Sequence, residues 1–195
     1  LYLVPEISLT TQLIVRLKKY FGDKLLVYHS KYSLDQRTET WKNVLKSSGK
    51  IILGARSSIF LPFKKLSLII VDEEHENAFK QFNPAPRYNA RDCAIYLGML
   101  HNAKTLLGSA TPSIESYFNA ISNKYGLIKL NKRYNNVELP NIILNDLRES
   151  TIKNKMIGSF SENLLFNINS TLINKKQVII FQNRRGYSPY QECET

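Results

Sequence analysis

Four short apolar runs, "KLLVYHS", "KIILGA", "LSLIIVD" and "KTLLGSA", recur between residues 24 and 110, and most of the intervening stretches have helical period. Runs this short and this continuously apolar read as strands buried on both faces. That burial is normally achieved by a mostly parallel sheet covered by helices. "LYLV" at the start reads as a further strand. "SLTTQLIVRLKKYFG" reads as a helix with Ser8 or Thr10 near its cap and Gly22 past its end. "SLDQRTETWKNVLKSSG" reads as a helix from Ser33 to Gly49 with Trp41, Val44 and Leu45 on one face. "ARDCAIYLGMLHNA" is a third helix, and "PSIESYFNAISN" a fourth with proline in its first turn.

Beyond residue 122 the texture changes. Two extended, asparagine- and lysine-rich segments around Pro140 lead to a helix in "FSENLLFNINSTLINKK" and a strand in "QVIIFQN". The expected organisation is therefore one α/β lobe over 1–122, and an inter-lobe segment with the beginning of a second α/β unit over 123–195. The chain begins in mid-strand without an initiator methionine and stops at "YQECET", so it is expected to be part of a longer protein.

Hydrophobic residues make up 43% of the chain, enough for one sizeable core. Lysine and arginine number 27 against 16 acids, and the net charge of +11 favours a polyanionic partner, with nucleic acid foremost. Cys93 and Cys193 lie too far apart to suggest a disulfide framework, which fits a reducing compartment. No apolar stretch approaches the roughly 20 residues that span a bilayer, so the expectation is a soluble, intracellular protein without a membrane partner.

The chemistry concentrates in "LIIVDEEHENAFKQFNPAPRYNARD". A buried strand ending in Asp72 places a carboxylate at the edge of an open α/β sheet, where ligands of this architecture bind. An aspartate there can hold a magnesium ion, and Glu73 can polarise a water against a γ-phosphate. Glu74 and His75 complete a DEEH box. An acidic cluster can equally open a helix and complement its dipole. The strand "KTLLGSATPS" shifts the balance, because Gly108, Ser109, Ala110 and Thr111 are small and hydroxylated and are expected to approach Asp72 and hydrogen-bond to it. Behind the box, Phe79, Phe82 and Tyr88 can stack on unpaired bases, while Lys80, Arg87 and Arg91 meet phosphates. The competing reading packs those rings into the core and pairs Arg91 with Asp92. His29, at a strand end, fits a structural hydrogen bond better than a ligand contact, and Trp41 fits helix core better than a base stacker.

Taken in order, "LVPEISLTTQ", "LGARSSIFLPF", "LIIVDEEHENAFKQ", "PRYNARDCAIYLG", "LGSATPSIESYFNA" and "NRRGYSP" resemble the superfamily-two helicases, and within them the primosomal replication-restart helicases. The resemblance implies an incomplete RecA-like P-loop NTPase helicase lobe followed by the start of a second. It also implies ATP and Mg²⁺ as cofactors and 3′-to-5′ movement on DNA, with forked or single-stranded DNA, primosome components and single-strand-binding proteins as partners in a bacterial cytoplasm. It gives Asp72 and Glu73 the magnesium and water roles, and makes Gly108 to Thr111 the link between nucleotide state and lobe movement. Pro5, Ser8, Arg56 and Ser57 would line the DNA track, and "AFKQFNPAPRYNARD" would be the aromatic-rich loop. Cys193 would be a zinc ligand in the intact protein only. The sequence lacks a G-x-x-x-x-G-K-[ST] loop, whose place by resemblance precedes Leu1, so these residues alone are expected to bind ATP poorly.

Overall fold

Alternation along the strands decides how the lobe is built. In the computed structural model, which describes residues 1–5, 11–46, 49–132, 135 and 139–181, five parallel strands form one sheet. They are β1 (Tyr2–Leu3), β2 (Leu25–Tyr28), β3 (Ile51–Gly54), β4 (Leu68–Asp72) and β5 (Lys104–Gly108), in the order β2-β3-β1-β4-β5. Side chains of successive residues point to opposite faces. Leu25, Val27, Leu53 and Val4 accordingly form one buried cluster against Leu13, Ile14 and Leu17 of helix α1 (Thr11–Phe21). Leu3, Ile69 and Val71 join Ala90 and Ala94 of α3 (Ala90–His101) in another. Tyr28 and Ile52 pack with Val44 of α2 (Leu34–Lys46) in a third. Both faces are thus covered, as the unbroken apolar runs require.

Local signals set the helix ends. Ser33 Oγ accepts from Gln36 N–H while Ser33 N–H donates back to Gln36 Oε1, a reciprocal cap at the start of α2. Gly22, immediately past α1, takes φ of +50°, the left-handed conformation that glycine enters without steric cost. Asn89 caps α3 by accepting from Arg91 N–H, and Ser113 caps α4 (Ile114–Ile121).

Three expectations need correction. Trp41 is 43% exposed and Leu45 is exposed beside it, because the buried stripe of α2 runs through Thr40 and Val44, four residues apart. Pro112 precedes the cap of α4 instead of entering its first turn, because the Ser113 hydroxyl accepts from Ser116 N–H. Residues 177–181 form no strand, since a strand needs a neighbouring ladder to satisfy its backbone groups and none lies beside them among the described residues.

The chain divides into two units, Leu1–Lys129 and Leu130–Thr195. In the first unit, Leu127 and Ile128 line a groove with β5 and α4. In the second unit, α5 (Leu147–Ile152) is capped by Asp146, and a hairpin of β6 (Met156–Ile157) and β7 (Phe160–Ser161) leads into α6 (Glu162–Ile173), capped by Ser161. No helix among the described residues is long and apolar enough to cross a membrane.

Candidate functional site

Strands β4 and β5 run in register, so Asp72 stands opposite Gly108 at their shared carboxyl end. The chain then turns sharply. Glu73 adopts φ of +50°, a left-handed conformation rare outside glycine, and Glu74 N–H donates to Gly108 O at 3.0 Å. This turn sends the four side chains of the box in different directions, and each meets different chemistry.

Asp72 is half-buried. Its Oδ2 accepts from the Tyr2 hydroxyl at 2.8 Å and its Oδ1 from Glu73 N–H at 3.1 Å. Burial, and then the Asp72 carboxylate, raise the Tyr2 pKa to about 12, so its hydroxyl remains a donor at ordinary pH. Tyr2 escapes sequence reasoning, because a tyrosine in a two-residue strand carries no signal of a partner 70 positions away. The Glu73 side chain is about half exposed. Magnesium takes one or two carboxylates together with phosphate oxygens in preference to an all-protein cage. Asp72 and Glu73 fit that role: each Asp72 oxygen accepts one hydrogen bond and retains a second lone pair. No cluster of three or more histidine, cysteine or carboxylate ligands forms among the described residues.

His75 turns to the other strand tip. Its Nδ1 lies 2.7 Å from Ser109 Oγ and its Nε2 lies 3.4 Å from Thr111 Oγ1. Ser109 Oγ already accepts from Thr111 N–H at 2.9 Å, so its proton is available to Nδ1 in the Nε2–H tautomer, which satisfies both contacts. The expectation that the hydroxylated segment would bond to Asp72 is therefore corrected. Glycine at 108 brings the backbone against the aspartate, but the hydroxyls of Ser109 and Thr111 project past it to His75. Ala110 is exposed between them.

Glu74 points inward. It is 3% exposed and accepts from Ser113 N–H at 2.7 Å, Ser113 Oγ at 3.1 Å, Ser116 Oγ at 2.9 Å and Arg91 Nη1 at 3.2 Å. Burial alone would raise its pKa, but the donors outweigh burial and hold it below the ordinary value. This carboxylate is internal structure, a correction to its grouping with the reacting acids. The same contacts withdraw Arg91 from phosphate binding, since its guanidinium also holds Asp92 at 2.9 Å.

The aromatic segment separates by burial. Phe79 is 1% exposed in the cluster of Leu3, Ile69 and Val71, so its ring presents no face to a base and belongs to the core. Phe82 is 65% exposed, Arg87 is exposed, and Lys80 is half-buried. Tyr88 is half-buried edge-on to Phe60, with centroids 4.8 Å apart; burial raises its pKa and nearby Arg56 opposes that rise. Gln81 Nε2 donates to Pro84 O and Pro86 O, which folds the loop tip back on itself.

Arg56 donates through Nη1 to Lys80 O at 2.9 Å and to Ala78 O at 3.4 Å. It braces the loop base and, with Ser30, Arg37, Ser57 and Gln81, lines a polar cleft of about 230 Å³. The Pro5 ring also borders the cleft but is fully buried, so it is floor and not a contact surface. His29 is buried, and its Nδ1 accepts from Lys31 N–H at 2.9 Å, the structural role. Ser8 and Cys193 lie outside the described residues.

Comparison with known proteins agrees with this geometry. The DEAD/DEAH box helicase family model matches residues 1–119. The chain is 44% identical over 195 residues to replication restart protein PriA of Rickettsia felis, covering 100% of this chain and 30% of that protein. It is 40% identical over 191 residues to the protein of that name from Bacillus subtilis, covering 98% and 24%. To that of Chlamydia trachomatis it is 42% identical over 193 residues, covering 99% and 26%. The chain thus spans 24% to 30% of the length of these relatives. With its parallel sheet flanked by helices, its two facing strand tips and its matched motifs, the chain has a RecA-like α/β lobe and belongs to the DEAD/DEAH box helicase family.

Proposed function

We propose that this chain supplies the first motor lobe, with the start of a second, of an ATP-dependent 3′-to-5′ DNA helicase that restarts replication at stalled forks by primosome assembly. The observation that carries the reading is the pairing of Asp72 with Gly108 while His75 reaches Ser109 and Thr111. A carboxylate able to hold Mg²⁺ and a segment able to report on it share one sheet edge. The relatives' name, replication restart protein, supports the cellular role.

In this reading Asp72 holds the magnesium of Mg·ATP, which would draw charge from the phosphates, and Glu73 orients the attacking water. His75, Ser109 and Thr111 sense the state of that site. Phe82 and Tyr88 meet unstacked bases and Lys80 and Arg87 meet phosphates, contacts that tolerate any sequence, as a moving motor needs. Ser57 and Ser8 extend the track, with Arg56 bracing it. Occupancy of the aromatic loop by DNA stimulates hydrolysis. Cys193 contributes to a zinc site, and single-strand-binding and primosome proteins are partners.

The deciding experiment measures ATPase of the full gene product with and without forked DNA. The triple variant F82A/R87A/Y88A should lose the DNA-stimulated increment, and Glu73→Gln should lose turnover. Full DNA stimulation in the triple variant defeats the loop assignment. Wild-type turnover in E73Q defeats the assignment of Glu73.

A further inference from the structure

Arg91 lies just past the aromatic loop, and its guanidinium touches three partners at once. Nη1 donates to Glu74 Oε2 at 3.2 Å and to Ser113 Oγ at 2.7 Å, and Nε donates to Asp92 Oδ1 at 2.9 Å. The side chain is 12% exposed, so water competes little for these bonds. Glu74 also accepts from the backbone and hydroxyl of Ser113, the residue that caps α4 directly after the hydroxylated segment. One carboxylate therefore joins the acidic box to the helix that follows the opposite strand tip. Its cationic partner comes from the loop.

The loop is tied tightly to that cation. Gln81 N–H donates to Tyr88 O at 2.8 Å, and Lys80 pairs with Asn89 in an antiparallel bridge, closing the two legs of the loop on one another. Asn89 then caps α3 by accepting from Arg91 N–H at 3.0 Å. The legs cannot shift without moving the first turn of α3 or breaking its cap. On the other leg, Arg56 grips Ala78 O and Lys80 O. A displacement at the exposed tip thus reaches Arg91 over a short, hydrogen-bonded path.

We propose that Arg91 and Glu74 are a positioning pair that relays nucleic-acid occupancy of the aromatic loop to the two strand tips, with Ser113 as the receiving contact. Neither residue touches the reacting atoms. The pair acts by holding the turn after Glu73 and the cap of α4 in one geometry, which a strand on the loop tightens. The proposal rests on the reading that DNA on this loop stimulates hydrolysis.

Lysine at 91 discriminates between a relay and a passive brace. It keeps the charge that Glu74 requires, but an ammonium on a flexible stem cannot reproduce the planar fork that reaches Glu74, Ser113 and Asp92 together. In the full gene product, R91K should keep basal ATPase within about twofold and bind a single-stranded oligonucleotide with wild-type affinity, while DNA stimulation falls roughly tenfold, the scale of one charge-assisted bond. KM for ATP without DNA should be unchanged. Equal stimulation in R91K and wild type overturns the relay alone. A parallel fall in basal and stimulated rates, together with a lower Tm, shows a brace and overturns it as well. A wild-type protein that DNA fails to stimulate overturns the underlying loop reading, and the relay with it.

Discussion

The Tyr2 hydroxyl and Asp72 Oδ2 lie 2.8 Å apart, so a residue of the central strand β1 fixes the carboxylate at the tip of β4. Tyr2→Phe removes that bond without changing shape. One neutral-to-charged hydrogen bond is worth about 1.5 to 3 kcal/mol. The freed aspartate then samples more rotamers, and the magnesium concentration needed for half-maximal ATPase should rise severalfold while the fold survives. A magnesium titration of Y2F against wild type measures this, and an unchanged midpoint removes the positioning role of Tyr2.

Phe79 and Phe82 are close in sequence and opposite in environment. Phe79→Ala empties a packed core position and should cost about 3 to 5 kcal/mol in urea unfolding. Phe82→Ala changes an exposed ring and should stay within about 0.5 kcal/mol in the same measurement. Its cost belongs in single-strand binding, at about 1 to 3 kcal/mol per stacked base by fluorescence anisotropy. Equal stability losses in the two variants contradict a buried Phe79 beside an exposed Phe82.

Glu74 makes stability depend on pH in a definite direction. Its folded pKa lies below the ordinary value of 4.5 because donors from Ser113, Ser116 and Arg91 outweigh burial. The stabilisation is complete above the unfolded pKa and is lost as pH falls through the folded one. Denaturation midpoints of the wild type should therefore drop on acidification below about pH 4.5 more steeply than those of Glu74→Gln. At neutral pH the variant should be less stable by about 1.5 to 3 kcal/mol, since Arg91, Ser113 and Ser116 lose a charged acceptor while Asp92 still pairs with Arg91. Parallel pH curves would show that Glu74 does not carry the effect.

Two glycines at strand ends should respond differently to alanine. A Cβ on Gly54 would sit 1.9 Å from Ser58 Oγ and 2.8 Å from Tyr28 O, so strand and turn must part, at about 1 to 3 kcal/mol. A Cβ on Gly108 would meet Asp72 Oδ1 at 3.7 Å, an ordinary contact, so its stability should change by about 0.5 kcal/mol or less. Thermal denaturation of both variants tests the packing directly. A large loss in G108A would mean that the tips of β4 and β5 leave no room for a Cβ beside Asp72.

The lobe was legible in the sequence to the extent that local chemistry sets it. Apolar runs declared strands because both faces had to be buried, and Ser33 marked its helix start, where the structure adds the reciprocal bond to Gln36. The pairing of the acidic strand with the hydroxylated one was also readable, because each run ended in residues that a buried strand would not otherwise hold. Trp41 and Phe79 were misjudged, since the orientation of a ring depends on which neighbours arrive from far along the chain.

What the sequence determined by itself was the kind of site: carboxylates, a histidine and hydroxyls at adjacent strand ends, with cations and rings behind them. What only the tertiary structure decided was their division of labour. Glu73 and Glu74 are chemically identical neighbours, yet a left-handed turn leaves one about half exposed and buries the other among Arg91, Ser113 and Ser116. Arg91 likewise leaves the nucleic-acid face for the interior. The physical reason is that a charged group goes where its donors or acceptors are, and those partners come together only when the sheet and helices close around them.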